Sequence, residues 1–127
     1  MPKKSFSGGL SKPAGPLSRA VQVGRTIYLS GMVGSRPGGG LAEGVGEQTR
    51  QALENVRDVL KEAGADLSDL VSVTVYLVRA EDYPAMNEAY APFFDETLPA
   101  RACVVAGMVH VEYLVEIQGV AVVGSVD

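Results

Sequence analysis

A chain of 127 residues, 46% hydrophobic and 20% charged, has the size and composition of one ordinary globular domain. Its net charge of -4 sets it against phosphate backbones, whose binding rests on Lys and Arg displacing counterions. One cysteine, Cys103, excludes an internal disulfide, and the lack of Trp with 6% aromatic content argues against a large aromatic-lined cofactor pocket.

The opening residues, Met1 to Pro16, are basic but carry no apolar run behind them, which a secretory signal needs over about 7–15 residues. No segment approaches the roughly 18 apolar residues of a membrane span. A cytoplasmic protein is expected, with no membrane contact and with nucleic acid an unfavoured partner. Gly, Ser, Pro and Lys dominate residues 1–16 and predict an irregular arm on a single domain spanning 1–127. A hairpin follows, from Ser18 to Val23 and from Thr26 to Met32, turning at Val23-Gly24-Arg25. Ile27 and Leu29 alternate with Tyr28 and Ser30, the period of a strand with two different faces. Arg36-Pro37-Gly38-Gly39-Gly40 reads as a flexible hairpin tip. It lacks the strand, helix and Lys that a phosphate loop requires.

From about Glu47, the residues Ala52, Leu53, Val56, Val59, Leu60 and Ala63 recur at spacings of three and four and line one stripe of a helix. Gln48, Arg50, Gln51, Glu54, Arg57, Asp58 and Lys61 fall mainly on its other side, and Gly64 is placed to end it. Leu70 to Val78 is β-branched and aromatic enough for a strand. Asp82 and Pro84 open a second amphipathic helix, whose buried side is marked by Met86, Tyr90 and Phe93 or Phe94. Two more strands, about Ala100 to Ala106 and Glu112 to Val123, complete the order β-β-α-β-α-β-β. This order predicts an α+β fold, a mixed sheet with two helices packed on one face. The other face should be partly apolar, which favours an oligomer.

Candidate chemistry concentrates in the last two strands. In an extended segment Arg101, Cys103 and Val105 share one face and Ala102, Val104 and Ala106 the other. The second set is small and apolar, suited to lying under helices, so Arg101 is expected on the helix-free face at the start of its strand. There its planar fork of donors could hold a carboxylate bidentately. The commoner reading of such an Arg is a pairing with a neighbouring acid or with solvent. Glu116 sits mid-strand between apolar neighbours, where carboxylates are seldom found unless paired or functional. It could be a general base, a holder of water, or the salt-bridge partner of Arg101, and on its own residues the last is favoured.

Six short strings then point further: Gly15-Pro16-x-Ser18 with Ala20-Val21; Tyr28-Leu29-Ser30-Gly31; Glu47 to Asn55; Met86-Asn87-Glu88-x-Tyr90; Pro99-Ala100-Arg101-x-Cys103-Val104; and Val115-Glu116-Ile117. In this order and spacing the chain resembles the RidA family, the YjgF-type reactive-intermediate deaminases. The resemblance implies a chorismate-mutase-like fold assembled as a homotrimer with three clefts between subunits, and no metal or organic cofactor. It implies hydrolysis of reactive enamines and imines, such as 2-aminoacrylate and 2-iminopropanoate, to the 2-keto acid and ammonia. By motif, Arg101 would bind the substrate carboxylate and Glu116 would position the attacking water. Ser30 and Gly31 would line the cleft, Asn87 would flank it, and Cys103 would offer its backbone near the imine. Leu17 would cover the substrate, where these deaminases usually carry Tyr. Val105 replaces a common Glu, Gln118 a frequent acid, and Gly107 to Val111 lacks the usual Leu-Pro.

Cys103 is read as a small buried or cleft-wall residue rather than a nucleophile, since His110, the one histidine, falls in a predicted turn. Lys3 and Lys4 are too few for an anchor, and no His, Cys and acid grouping has metal spacing. Beside the deaminase stand two alternatives: a non-catalytic module capturing a keto acid through Arg101, kept open by Leu17, and an endoribonuclease, disfavoured by the acidic charge and lack of a basic patch.

Overall fold

The stripe from Ala52 to Ala63 forms a helix around which the rest is arranged. In the computed structural model, which describes residues 2–8, 12–13 and 15–126, helix α1 spans Gly44–Glu62. It begins three residues before Glu47, because Val45 packs against the core and its carbonyl accepts the Thr49 hydroxyl at 2.7 Å. Ala63 caps the other end, and Gly64 follows with φ +81°, the left-handed conformation that favours glycine past a helix. Leu53, Val56, Val59 and Leu60 are fully buried on its inner face, each worth roughly 1.5–3 kcal/mol when removed from water. Two polar residues are buried with them. Gln48, expected on the solvent side, donates to the Glu112 carbonyl at 3.1 Å and accepts from the Leu114 amide at 2.9 Å. Asn55 donates to the carbonyls of Val33 and Ser35. Both anchor loops to α1 with their buried amides satisfied, which is why burial costs them little.

Among the described residues six strands form one sheet in the order β1-β2-β3-β6-β4-β5: β1 Lys3–Phe6, β2 Ala20–Val23, β3 Thr26–Leu29, β4 Leu70–Leu77, β5 Ala100–Val105 and β6 Val115–Val122. Only β4 and β5 pair parallel, joined by helix α2, Tyr83–Tyr90, as a parallel pair requires a crossover. The sheet is thus mixed, with α1 on β6 and α2 alongside α1, as the element pattern predicts.

In the sheet two further expectations change. The arm contributes β1, which pairs antiparallel with β2 and so precedes the predicted element order. Its side chains are exposed except at Phe6, so backbone pairing rather than burial makes the strand. Positions 1, 9–11 and 14 of that arm lie outside the described residues. The last strand also begins at Val115 rather than near Glu112, where Gln48 of α1 takes the Leu114 amide and the Glu112 carbonyl out of any ladder.

The face away from the helices carries Val21, Tyr28, Val120, Val122 and Val104 among Gln118, Thr74, Tyr76 and Glu116, as their registers require. It is partly apolar, and Tyr28 and Val104 are exposed on it.

Candidate functional site

Register decides which face each candidate residue occupies. Val73 stands opposite Arg101 and Val75 opposite Cys103, while Val75 is also opposite Ile117 on the other side. Val73, Val75 and Ile117 are buried beneath the helices, so Arg101 and Cys103 share the helix-covered face. Expecting Arg101 on the helix-free face is therefore wrong. Ala102 and Val104, small and apolar as they are, point outward and are exposed. The rule fails because β5 is the edge strand, where α2 offers polar and aromatic side chains in place of an apolar cover.

Those side chains come from one stripe of α2. Nη2 of Arg101 donates to the Asn87 amide oxygen at 2.8 Å and to the Tyr83 hydroxyl at 3.2 Å, and Nη1 approaches the Met86 sulfur at 3.9 Å. The guanidinium carbon lies 4.9 Å from the centre of the Tyr90 ring and 5.7 Å from that of Tyr83. Residues 83, 86, 87 and 90 recur at three- and four-residue spacing, so one helix stripe holds the cation. Every one of these partners is neutral. Arg50, Arg57 and Arg79 each pair with carboxylates within 4 Å, and Arg101 has no such pair among the described residues. Three of its five donors are engaged, which leaves two for an anion. Asn87, Tyr90, Ala91, Phe94, Leu98, Pro99 and Arg101 line a groove of about 580 Å³ here.

Cys103 lies two residues along the same face, half-buried. Burial pushes its thiol up from the ordinary value, against the pull of the Arg101 charge, the opposite of what activates a cysteine nucleophile.

Glu116 occupies the opposite face, across from Tyr76, and no salt bridge joins it to Arg101. The favoured pairing fails on geometry, since a sheet separates the two side chains. Glu116 sits instead beside an irregularity. Tyr28 pairs with Val120 and Met32 bridges Ile117, so residues 29–31 on one strand oppose only 118–119 on the other. One extra residue is a β-bulge. At its end is Gly31, where an added Cβ would meet the Glu116 carboxylate and force that side chain to move. Ser30, in the bulge, donates through its hydroxyl to the Ser18 carbonyl at 2.6 Å, and its amide donates to the Arg19 carbonyl. Among the described residues the Glu116 carboxylate has no hydrogen-bond or ion-pair partner.

Leu17 is 51% exposed, beside Ser5, Phe6, Arg19 and Glu62, and does not lie over Arg101. Arg101, Asn87 and Cys103 are thus gathered at the α2–β5 edge, and Ser30, Gly31 and Glu116 at the β3–β6 bulge. Tyr83 and Tyr90, which hold Arg101, are absent from the sequence-derived site. Tyr90 is nonetheless visible in the sequence as a buried-side residue of the second helix and in the string Met86-Asn87-Glu88-x-Tyr90, whereas Tyr83 is signalled only by its spacing from Met86 and Asn87.

Among the described residues no cluster of three or more His, Cys, Asp and Glu could hold a metal. Among the described residues no helix is long and apolar enough to cross a membrane. His110 is exposed in a turn, edge-on to Tyr113 at 4.9 Å.

The endoribonuclease L-PSP family matches residues 10–123 of the chain. A 2-iminobutanoate/2-iminopropanoate deaminase of Mus musculus is 44% identical over 112 residues, 87% of this chain and 83% of the mouse protein. A RutC family protein of Pyrococcus abyssi is 39% identical over 118 residues, 91% of this chain and 93% of the relative. The crystal structure of RidA from an Antarctic Psychrobacter superposes with a TM-score of 0.88 at 31% identity, covering 94% of this chain and 98% of that one. Escherichia coli TdcF with bound serine superposes with a TM-score of 0.87, also at 31% identity, covering 94% and 98%. Two helices on a mixed six-stranded sheet are the chorismate-mutase-like arrangement of these neighbours.

Proposed function

The chain belongs to the endoribonuclease L-PSP family, the YjgF/RidA group its motifs resemble, and from that premise we propose that it hydrolyses small 2-imino and 2-enamino acids to 2-keto acids and ammonia. The observation that carries this reading is the Arg101 guanidinium, held by neutral side chains at the rim of a groove with donors to spare. A cation without a carboxylate partner is a receptor for one, and its planar fork suits the substrate carboxylate. Relatives 40–44% identical carry the name 2-iminobutanoate/2-iminopropanoate deaminase, and a neighbour binds serine, itself a carboxylate.

In this scheme Arg101 fixes the carboxylate and so the plane of the adjoining C=N bond. Water held by Glu116 adds to the imine carbon while the carboxylate takes its proton. The proton passes to nitrogen, giving the carbinolamine. The carboxylate then carries the hydroxyl proton to the same nitrogen, the C–N bond breaks as the C=O bond forms, and ammonia leaves with the keto acid. A 2-enamino acid first tautomerises to its imine by moving a proton from nitrogen to carbon. Orientation of two reactants and proton transfers through one carboxylate are all that is asked of the protein. Cys103 supplies backbone beside the imine, and Ser30, Gly31 and Leu17 supply the other wall.

Arg101 and Glu116 lie on opposite faces of one sheet, so one chain cannot present both to a single small molecule. The scheme therefore uses a homotrimer, in which the β5 edge of one subunit meets the β3–β6 bulge of the next. The partly apolar outer face supports such an assembly. Leu17 favours a second reading, a keto-acid-binding module without turnover, because it cannot donate the hydrogen bond of a phenol. Following the absorbance of freshly generated 2-iminopropanoate with and without the protein separates the two. Accelerated decay is expected for the deaminase, and unchanged decay with pyruvate binding intact would leave the binding module.

A further inference from the structure

Tyr90 stands out among the groups that surround Arg101. It is 6% exposed, its hydroxyl is fully buried without a hydrogen-bond partner, and its ring stacks on Phe94 with centroids 4.6 Å apart. The ring faces Arg101, whose guanidinium carbon lies 4.9 Å from its centre. The negative face of an aromatic ring attracts a cation and takes up none of its N–H donors.

We infer that Tyr90 is a positioning residue for Arg101: its ring is a neutral platform that keeps the guanidinium turned into the groove, ready for a carboxylate. Asn87 fixes the rotation of the fork by accepting from Nη2, and Tyr90 supports its plane. A carboxylate at position 90 would attract the cation as strongly but would occupy the fork and cancel its charge. Burial raises the Tyr90 phenol above its usual range, against the pull of Arg101, so no phenolate forms near neutral pH to do the same. Arg101 thus keeps both its orientation and its full charge. The inference rests on Arg101 being the carboxylate anchor.

The test compares pyruvate affinity by calorimetry, and KM and kcat for 2-iminopropanoate, on the full assembled protein. Tyr90→Phe keeps the ring and should bind pyruvate within about twofold of wild type. Tyr90→Leu removes the π face and should weaken pyruvate binding and raise KM by about 3–10-fold, the range for losing a cation–π contact, with kcat little changed. Pentafluorophenylalanine at position 90 keeps the ring's shape, reverses its electrostatics, and should weaken binding to the same extent. If Tyr90→Leu does not fold, that isosteric variant decides alone. A purely structural Tyr90 would lower the melting temperature and leave pyruvate affinity as in wild type, and that result would overturn the inference. Loss of binding in Arg101→Ala with none in either ring variant would overturn it while keeping Arg101 as anchor. Wild-type affinity in Arg101→Ala would overturn both.

Discussion

At the α2–β5 edge the Arg101 guanidinium is fixed by side chains of its own chain. At the β3–β6 bulge the Glu116 carboxylate rests above Gly31 with no polar partner among the described residues. The first region is complete in one subunit, because a single helix stripe supplies acceptors and rings at matching spacing. The second is a surface shaped by one extra residue in a strand, and on the proposed function a neighbouring subunit finishes it. On the proposed function the contrast separates binding from chemistry: among the described residues the chain carries a guanidinium without a carboxylate partner on one face of its sheet and a carboxylate without a polar partner on the other.

The largest effect should come from breaking the receptor. Arg101→Ala should weaken pyruvate binding by at least about a hundredfold, as expected for losing charge-assisted hydrogen bonds worth roughly 3 kcal/mol. Activity should vanish with it, while the melting temperature holds, since no carboxylate is left stranded. Lys at 101 should restore little, lacking the planar fork. Glu116→Gln should leave pyruvate affinity intact and lower kcat by about 10²–10⁴-fold, the usual worth of a placed proton acceptor. Calorimetry paired with imine decay reads both, and equal loss of binding in the two variants would erase the distinction between the regions.

A smaller, opposite effect is expected at Leu17. Leu17→Tyr offers a phenol hydrogen bond and should raise turnover of 2-iminopropanoate by up to about tenfold. A variant unchanged on every imine tried would place Leu17 outside the site. The smallest effect concerns Cys103, whose thiol is raised by burial. Near pH 8.5, where a free thiol is about half ionised, Cys103 should hold less thiolate and react with iodoacetamide more slowly than glutathione. Cys103→Ser should keep turnover within about twofold, and a larger loss would mean the sulfur takes part.

The two regions also differ in how far they can be read from residues alone. The α1 stripe, the β4 strand and the start of α2 are legible because apolar spacing, a β-branched run and a proline in the first helical turn act locally. Asp82, however, pairs with Arg79 and makes no side-chain cap bond. Glu116 is legible as an anomaly, a charge among apolar neighbours. The face of Arg101 is not, because the argument from small apolar residues presumes a core on both sides of β5. At a sheet edge that presumption fails, and the polar residue turns inward to α2 while Ala102 and Val104 turn out. The strand at Lys3–Phe6 is hidden for a related reason: backbone pairing leaves no side-chain pattern when nearly every side chain is exposed. The bulge at 29–31 is a register property, invisible without its partner strand.

The central claim is that one site draws Arg101 from one subunit and Glu116 from another. Subunit mixing tests it most directly. Arg101→Ala and Glu116→Gln, each nearly inactive alone, are unfolded together in equal amounts, refolded, and assayed on 2-iminopropanoate. If sites form between subunits, random trimers regain about a quarter of wild-type activity, since one interface in four joins an intact Arg101 to an intact Glu116. If both residues serve a site within one chain, no mixed assembly contains an intact site. Activity no greater than the average of the separate variants, with the trimer confirmed by light scattering, would contradict the account.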